Sequence, residues 1–213
     1  MYNPAHFAEQ DPQALHRLLT AHPLGLLITH GPDGLDADHL PFAFDPAAEG
    51  GQGLLSAHVA RANPVWQRCA SGSPVLVVFR GEQGYISPNW YPSKQETHRQ
   101  VPTWNYESVH VHGMLRVRDD ERFVRGLVAR LTRQHEAGEP RPWKMGDAPV
   151  DYIDTMLKAI VGIEVVVTRM EGKRKLSQNK EARDRDGAAQ GAERVGNTGL
   201  AQVMREAGSA PGR

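Results

Sequence analysis

The sequence predicts a mainly β protein, an antiparallel barrel with peripheral helices. Most of its apolar runs are short and bounded by glycine, proline or asparagine, as strands of a compact sheet are. These runs do not alternate regularly with helical segments, which disfavours a doubly wound parallel sheet. In one segment, residues 103–117, apolar side chains alternate with aromatic, hydroxyl and histidine side chains, as in a strand with two different faces.

Composition limits the functions that the chain can have. Its 213 residues include 39% hydrophobic and 23% charged side chains, which suits one soluble domain with a real core. The 25 Lys and Arg balance the 25 Asp and Glu, so the formal net charge is zero. No global basic field therefore draws the protein to DNA or to an acidic membrane, and any nucleic-acid contact has to be local.

The compartment expected from the sequence is the reduced cytoplasm. The single cysteine, Cys69, excludes an intramolecular disulfide and any multi-cysteine metal site, and it fits a place in the core. The first eleven residues lack the basic and apolar runs of a signal peptide. No apolar stretch approaches the roughly 20 residues that span a bilayer.

The first half of the chain contains most of the predicted strands. A helix begins at Asp11-Pro12, because aspartate caps free N–H groups and proline fits the first turn, and Pro23 ends it. Asn63-Pro64 begins a short helix that carries Trp66. Strands are predicted over residues 24–30, 36–44, 54–59, 75–79 and 84–87, with turns at 31–34 and 50–53.

In the second half, the strand predicted over residues 103–117 has two distinct faces. Its core face carries Val109, Val111, Leu115 and Val117. Its other face carries Trp104, Tyr106, Ser108, His110 and His112. A solvent face seldom holds two large aromatic rings and two histidines, so we expect this face to meet a ligand or a partner chain.

The remaining elements are a polar loop, two helices and a last strand. Residues 93–100 are predicted as a loop, and Asp119-Asp120 caps a helix that runs to about Glu136. A helix over 150–159 and a β-branched strand over 160–168 follow. We divide the chain into a barrel domain, 1–180, and a polar C-terminal extension, 181–213, that is partly helical or frayed. Truncation after Asn179 is expected to spare most of the barrel.

Four segments carry side chains that suggest a binding site. Around His58, Arg61 and Asn63 a strand end meets a helix start, which offers a cation, an imidazole and free N–H groups to a phosphate. A capped helix with a solvated arginine is the alternative. The segments around Ser87 and Thr103 mix aromatic rings with hydroxyl and amide groups, as a flat heteroaromatic ligand or a dimer interface requires. The other two segments are at His39 and at Lys175–Asn179, where an exposed strand end is the alternative.

Other catalytic chemistry has weaker signals, and no catalytic residue is assigned. No glycine-rich Rossmann or P-loop pattern is present, and neither Ser87 nor Ser177 lies in a nucleophile elbow. His110 and His112 share a strand face at a spacing that metals can use, with His39 or His58 as a third ligand. Hydrogen bonding within a polar interface explains the pair better.

These segments together resemble the PaiB-type family, described as FMN-binding negative transcriptional regulators. The most specific matches are Pro102-Thr103-Trp104-Asn105-Tyr106 and Lys175-Leu176-Ser177-Gln178-Asn179. The other matches occur in family order at residues 1–7, 39–41, 58–66, 85–87, 90–91, 109–111 and 160–162.

The resemblance implies an FMN-binding split β-barrel that forms a homodimer, with FMN in clefts lined by both chains. It implies transcriptional repression. A flavin-dependent oxidoreductase or reductase of a small molecule is the alternative, and a haem or metal protein that uses His110, His112 or His39 is a third hypothesis. DNA contacts would fall to the local cations Arg174, Lys175, Lys180, Arg183 and Arg185. The residues assigned to FMN are His39, His58, Arg61, Asn63, Ser87, Thr103, Trp104, Asn105, Tyr106, Lys175, Ser177, Gln178 and Asn179.

Overall fold

The computed structural model describes residues 1–48, 52–69 and 71–209. Part of the predicted turn at 50–53 and the last four residues lie outside these ranges. The strands are β1 (Ala8–Glu9), β2 (Leu24–Gly31), β3 (Gly34–Pro41), β4 (Ala43–Asp45), β5 (Leu54–Ala60), β6 (Pro74–Ile86), β7 (Thr103–Arg118) and β8 (Ile160–Lys175). The α-helices are α1 (Pro12–Ala21), α2 (Val65–Arg68), α3 (Pro92–Thr97), α4 (Glu121–His135), α5 (Val150–Lys158), α6 (Ala182–Arg194) and α7 (Thr198–Ser209).

The strands form one antiparallel sheet, which confirms the predicted fold class. Along the sheet the order is β3-β2-β6-β7-β8-β5-β4, and β1 pairs with β8 off this path. The first hairpin pairs β2 with β3 in a register that sets Leu26 opposite His39. On the other side, β5 pairs with β8 and sets His58 opposite Gly162. Because β3 and β4 remain at opposite ends of this order, the sheet is open.

The chain divides into two compact units. The terminal unit contains residues 1–15, 80–109 and 171–213, and the middle unit contains residues 16–79 and 110–170. The strands β6, β7 and β8 each contribute residues to both units. None of the helices that the described residues form is long and apolar enough to cross a membrane.

Each unit has its own buried apolar cluster. In the middle unit, Leu27, Val77, Phe79, Val111 and Leu115 are fully buried, and Cys69 is buried as predicted. In the terminal unit, helices α6 and α7 bury small and aliphatic side chains against Ile86, Tyr91 and Leu176. The helical members of this second cluster are Ala188, Ala189, Ala192, Leu200, Ala201 and Met204.

Predicted elements differ from the structure in four places. The strand predicted at 36–44 is two strands, β3 and β4, which pair with β2 and β5 respectively. The strands predicted at 75–79 and 84–87 are one strand, β6, because the polar residues between them remain exposed or half-buried and need no core. Residues 92–97 form α3 instead of a loop, with Pro92 in its first turn and His98 left-handed at its end (φ 55°). The last strand continues past Thr168 to Lys175, since its charged residues find partners.

Candidate functional site

The two faces of β7 differ as the sequence predicts. Val109, Val111 and Leu115 are fully buried. On the opposite face Trp104 is 50% exposed, and Tyr106 and both histidines are half-buried. Two residues depart from the pattern, because Ser108 is buried and Val117, predicted on the core face, is only half-buried. The strand therefore presents aromatic and imidazole surface that the described part of a single chain leaves partly uncovered.

The two most specific sequence motifs contact each other in the terminal unit. Lys175 Nζ donates hydrogen bonds to the Thr103 hydroxyl and, at 2.7 Å, to the carbonyl of Trp104. Asn105 Nδ2 donates to Ser177 Oγ at 2.9 Å. We call these five residues the motif cluster. Segments about seventy positions apart in the sequence thus form one hydrogen-bonded group.

Asn105 is the buried centre of the motif cluster. It is 1% exposed, and its Oδ1 accepts no hydrogen bond from any residue that the structure describes. Ser177 takes a left-handed backbone (φ 66°), and its hydroxyl lies 3.5 Å from the Tyr91 hydroxyl. Burial raises the pKa of Tyr91, so its phenol stays neutral. The free amide oxygen can accept a hydrogen bond from a ligand or a water.

Positive charge lies beside the aromatic side chains of the terminal unit. Lys173 is buried, donates to the carbonyl of Tyr2 at 2.9 Å and lies 5.4 Å from the centre of the Tyr106 ring. Burial lowers the pKa of Lys175, and the charge of Lys173 lowers it further. Lys173 and Tyr2 were not among the predicted site residues. In the sequence, Lys173 is marked only by the basic turn before Lys175, and Tyr2 only by the N-terminal segment that matches the PaiB-type family.

The other predicted residues of the terminal unit have local structural contacts. Gln178 Oε1 accepts from the Leu176 N–H at 2.7 Å, and its Nε2 donates to the Arg174 carbonyl, which closes the turn after β8. Ser87 Oγ accepts from the Asn89 N–H at 3.2 Å and caps a short 3₁₀ turn. Asn179 is exposed. Any role of these three in binding FMN stays a prediction.

In the middle unit, Asn63 forms the hydrogen-bonded turn that leads into a helix. Its Oδ1 accepts from the Val65 N–H at 2.9 Å at the start of α2, and its Nδ2 donates to Asp38 Oδ1 at 2.6 Å. His39 lies exposed on β3. His58 lies half-buried on β5 and lines a cavity.

Arg61 is held by four hydrogen bonds within the middle unit. Its guanidinium pairs with both carboxylate oxygens of Asp119, at 2.9 and 2.6 Å. It also donates to the carbonyls of Lys158 and Ile160, at 2.7 and 3.1 Å. The hydrogen bond from Arg61 lowers the pKa of Asp119, so the carboxylate stays charged. A phosphate that binds Arg61 has to compete with this carboxylate.

The residues that the structure describes contain no group of three or more His, Cys, Asp or Glu side chains placed to hold a metal ion. His112 instead has Arg169 as a partner, with 3.0 Å between its Nε2 and the guanidinium.

The open antiparallel sheet with its peripheral helices is the split-barrel fold that the sequence predicts. Residues 1–169 match the family described as "Putative FMN-binding domain", and the chain belongs to this family. The family gives FMN as the cofactor, in agreement with the sequence prediction.

Curated relatives match nearly the whole chain. An uncharacterised protein of Emericella nidulans is 31% identical and is matched over 98% of each chain. The protease synthase and sporulation protein PAI 2 of Bacillus subtilis is 28% identical over 86% of this chain and 85% of its own, which supports the PaiB-type resemblance. Among solved structures, an FAD and haem binding protein of Mycobacterium smegmatis superposes with a TM-score of 0.56 at 17% identity, over 82% of this chain and 76% of its own.

Proposed function

We propose that this protein is a homodimeric FMN-binding regulator that represses transcription. The β7 face carries the proposal, because it offers aromatic rings beside a cluster of hydrogen-bonding and cationic groups. Trp104 presents exposed ring surface for stacking, and Lys173 lies against Tyr106. The similarity to the Bacillus subtilis sporulation protein supports the regulatory part.

The homodimer is supported by the uncovered aromatic surface of β7. Light scattering is expected to return twice the 23.5 kDa chain mass at micromolar concentration. Trp104→Arg places a charge in the proposed interface and should produce monomers, because an unpaired buried charge is costly. Tyr152→Arg is the matched control, since Tyr152 is 54% exposed on α5 and should leave the dimer intact. A stable wild-type monomer contradicts the proposal.

FMN phosphate recognition is tested at Arg61. Arg61→Ala removes a charge-assisted contact and should weaken FMN about tenfold to a hundredfold, equivalent to roughly 1.5–3 kcal/mol. Riboflavin, which lacks the phosphate, should bind both proteins equally and reports on correct folding. Asp119→Asn should not weaken FMN, because it frees the guanidinium from its carboxylate partner. Unchanged FMN affinity in Arg61→Ala would place the phosphate near Lys173 and Lys175.

The cations proposed to bind DNA already have partners within the chain. This counts against DNA binding and favours the second function, a flavin-dependent oxidoreductase. Arg174 pairs with Glu107 at 2.7 Å, Arg183 pairs with Glu96 and Glu181, and Lys180 donates to Gln100 at 2.7 Å. Such contacts neutralise or occupy groups that would otherwise meet phosphates.

One pair of assays separates the two functions. Gel shifts of the FMN-loaded dimer at two salt concentrations should show duplex binding that weakens steeply with salt if the protein is a repressor. Consumption of a nicotinamide hydride donor by the same sample, without any DNA binding at low salt, supports the oxidoreductase. Mass spectrometry of the released cofactor identifies the flavin in either case.

A further inference from the structure

The middle unit contains a cavity beside His58 that the proposed flavin function does not explain. Its volume is about 260 Å³, and its lining includes His58, Val128, Leu131, His135, Glu136 and Trp143. We call it the His58 cavity. Three of these side chains come from one face of α4, at positions 128, 131 and 135, so a single helix forms one wall.

His58 brings an imidazole ring to this cavity. Its Nδ1 is buried and has no hydrogen-bond partner among the described residues. Burial also lowers the pKa of His58, so its imidazole is neutral at pH 7. A buried N–H without a partner is more costly than a buried lone pair, so the proton belongs on Nε2. The Nε2–H is then the donor that His58 can offer to a ligand, while the buried Nδ1 keeps its lone pair.

The charge distribution in the cavity disfavours an anion. Helix α4 ends at His135, and the C-terminal end of a helix carries partial negative charge. The carboxylate of Glu136 lies at the same end, and its Oε2 accepts from the backbone N–H of Trp143 at 2.8 Å, which leaves Oε1 for another donor. The titratable side chains that line the cavity are His58, His135 and Glu136. Together they suit a neutral ligand that accepts one hydrogen bond and donates another.

The size of the cavity restricts the ligand further. At about 30 Å³ for each water in the liquid, the volume corresponds to roughly eight or nine waters. Pockets for drug-sized ligands begin at about 300 Å³, so this cavity holds a group smaller than a whole flavin nucleotide. Trp143 and Leu131 provide apolar surface that suits one aromatic ring.

We propose that the His58 cavity is a binding site for a small uncharged aromatic carboxamide or a molecule of the same chemistry. The ring packs against Trp143 and Leu131, the carbonyl accepts from His58, and the amide N–H groups face Glu136 and the end of α4. This site goes beyond the proposed function, because its ligand is uncharged and its lining does not include Arg61, where the FMN phosphate is proposed to bind.

Benzamide and benzoate are the matched probes, because they share size and shape and differ in charge. In titrations followed by NMR at pH 7, benzamide should bind on the order of tenfold more tightly than benzoate. His58→Phe should weaken benzamide about two- to tenfold, as expected for one lost hydrogen bond. His30→Phe, on β2 and outside the cavity lining, should leave the affinity unchanged. Glu136→Gln should narrow the preference for benzamide over benzoate, which tests the site without altering His58.

Competition with FMN decides whether the site is separate. Benzamide affinity that stays the same in saturating FMN supports the proposal, whether or not the dimer forms. If FMN displaces benzamide, His58 belongs to the flavin site as the sequence predicts, and the proposal is overturned. Equal binding of benzamide and benzoate, or an unchanged benzamide affinity in His58→Phe, also overturns it. Failure of FMN to bind would instead count only against the proposed flavin function.

Discussion

Truncation after Asn179 is expected to unfold the terminal unit, contrary to the expectation from sequence that it spares most of the barrel. The truncation removes α6 and α7, which supply six members of the buried cluster around Ile86, Tyr91 and Leu176. Each fully buried large aliphatic side chain contributes about 1.5–3 kcal/mol. Loss of Leu200 and Met204 and exposure of their partners should therefore cost more than about 5 kcal/mol, the lower end of a whole domain's stability.

The truncation also removes a buried polar anchor. Asp184 is 2% exposed and accepts hydrogen bonds from the N–H and the hydroxyl of Ser93, at 3.0 and 2.6 Å. Amide hydrogen exchange measures the outcome, and protection of residues 80–109 should be lost in the truncated protein. A chain that ends at Ser209 keeps both helices and is the control. Undiminished protection after truncation at Asn179 would contradict this role of α6 and α7.

Gly191→Ala should destabilise the protein, although alanine is the better helix former. A Cβ at position 191 of α6 would lie 2.2 Å from Cδ2 of the Trp90 indole, closer than any real contact allows. Removing glycine from a helix normally gains about 0.5–1 kcal/mol. Overpacking of a buried contact costs about 1–3 kcal/mol, so the clash should decide the sign. Thermal and denaturant unfolding measure the difference.

Gly126→Ala in α4 is the control, and its expected effect on the stability of the protein has the opposite sign. A Cβ at position 126 would have no atom within 4 Å, and the residue is exposed. We expect it to stabilise the protein by about 0.5–1 kcal/mol, since only helix propensity changes. If both substitutions stabilise to the same extent, the indole of Trp90 does not pack on α6 as described.

The sequence alone determined the elements whose side chains follow a strict period or a cap. The alternation along β7 predicted the burial of Val109, Val111 and Leu115, because each strand residue turns to the side opposite its neighbour. Asp120 predicted the start of α4, and its carboxylate accepts from the Phe123 N–H at 2.8 Å. The family motifs predicted FMN, since each requires several residues in order.

Local sequence was misleading where distant residues supply the partners. Residues 93–97 are polar, and α3 is anchored by the carboxylate of Asp184, about ninety positions away. The end of β8 is charged, yet Arg174 finds Glu9 and Glu107. No local pattern contains these pairings, because folding brings the groups together.

Only the tertiary structure decided which partners the candidate residues have within the chain. Arg61, an apparently free cation in the sequence, is paired with Asp119, and Asn63 forms the hydrogen-bonded turn that leads into α2. The cavity at His58 exists only because one face of α4 lies beside that imidazole. A sequence shows which charges and hydrogen-bonding groups are present. Whether each group is satisfied internally or remains available to a ligand depends on distances that only the packed chain defines.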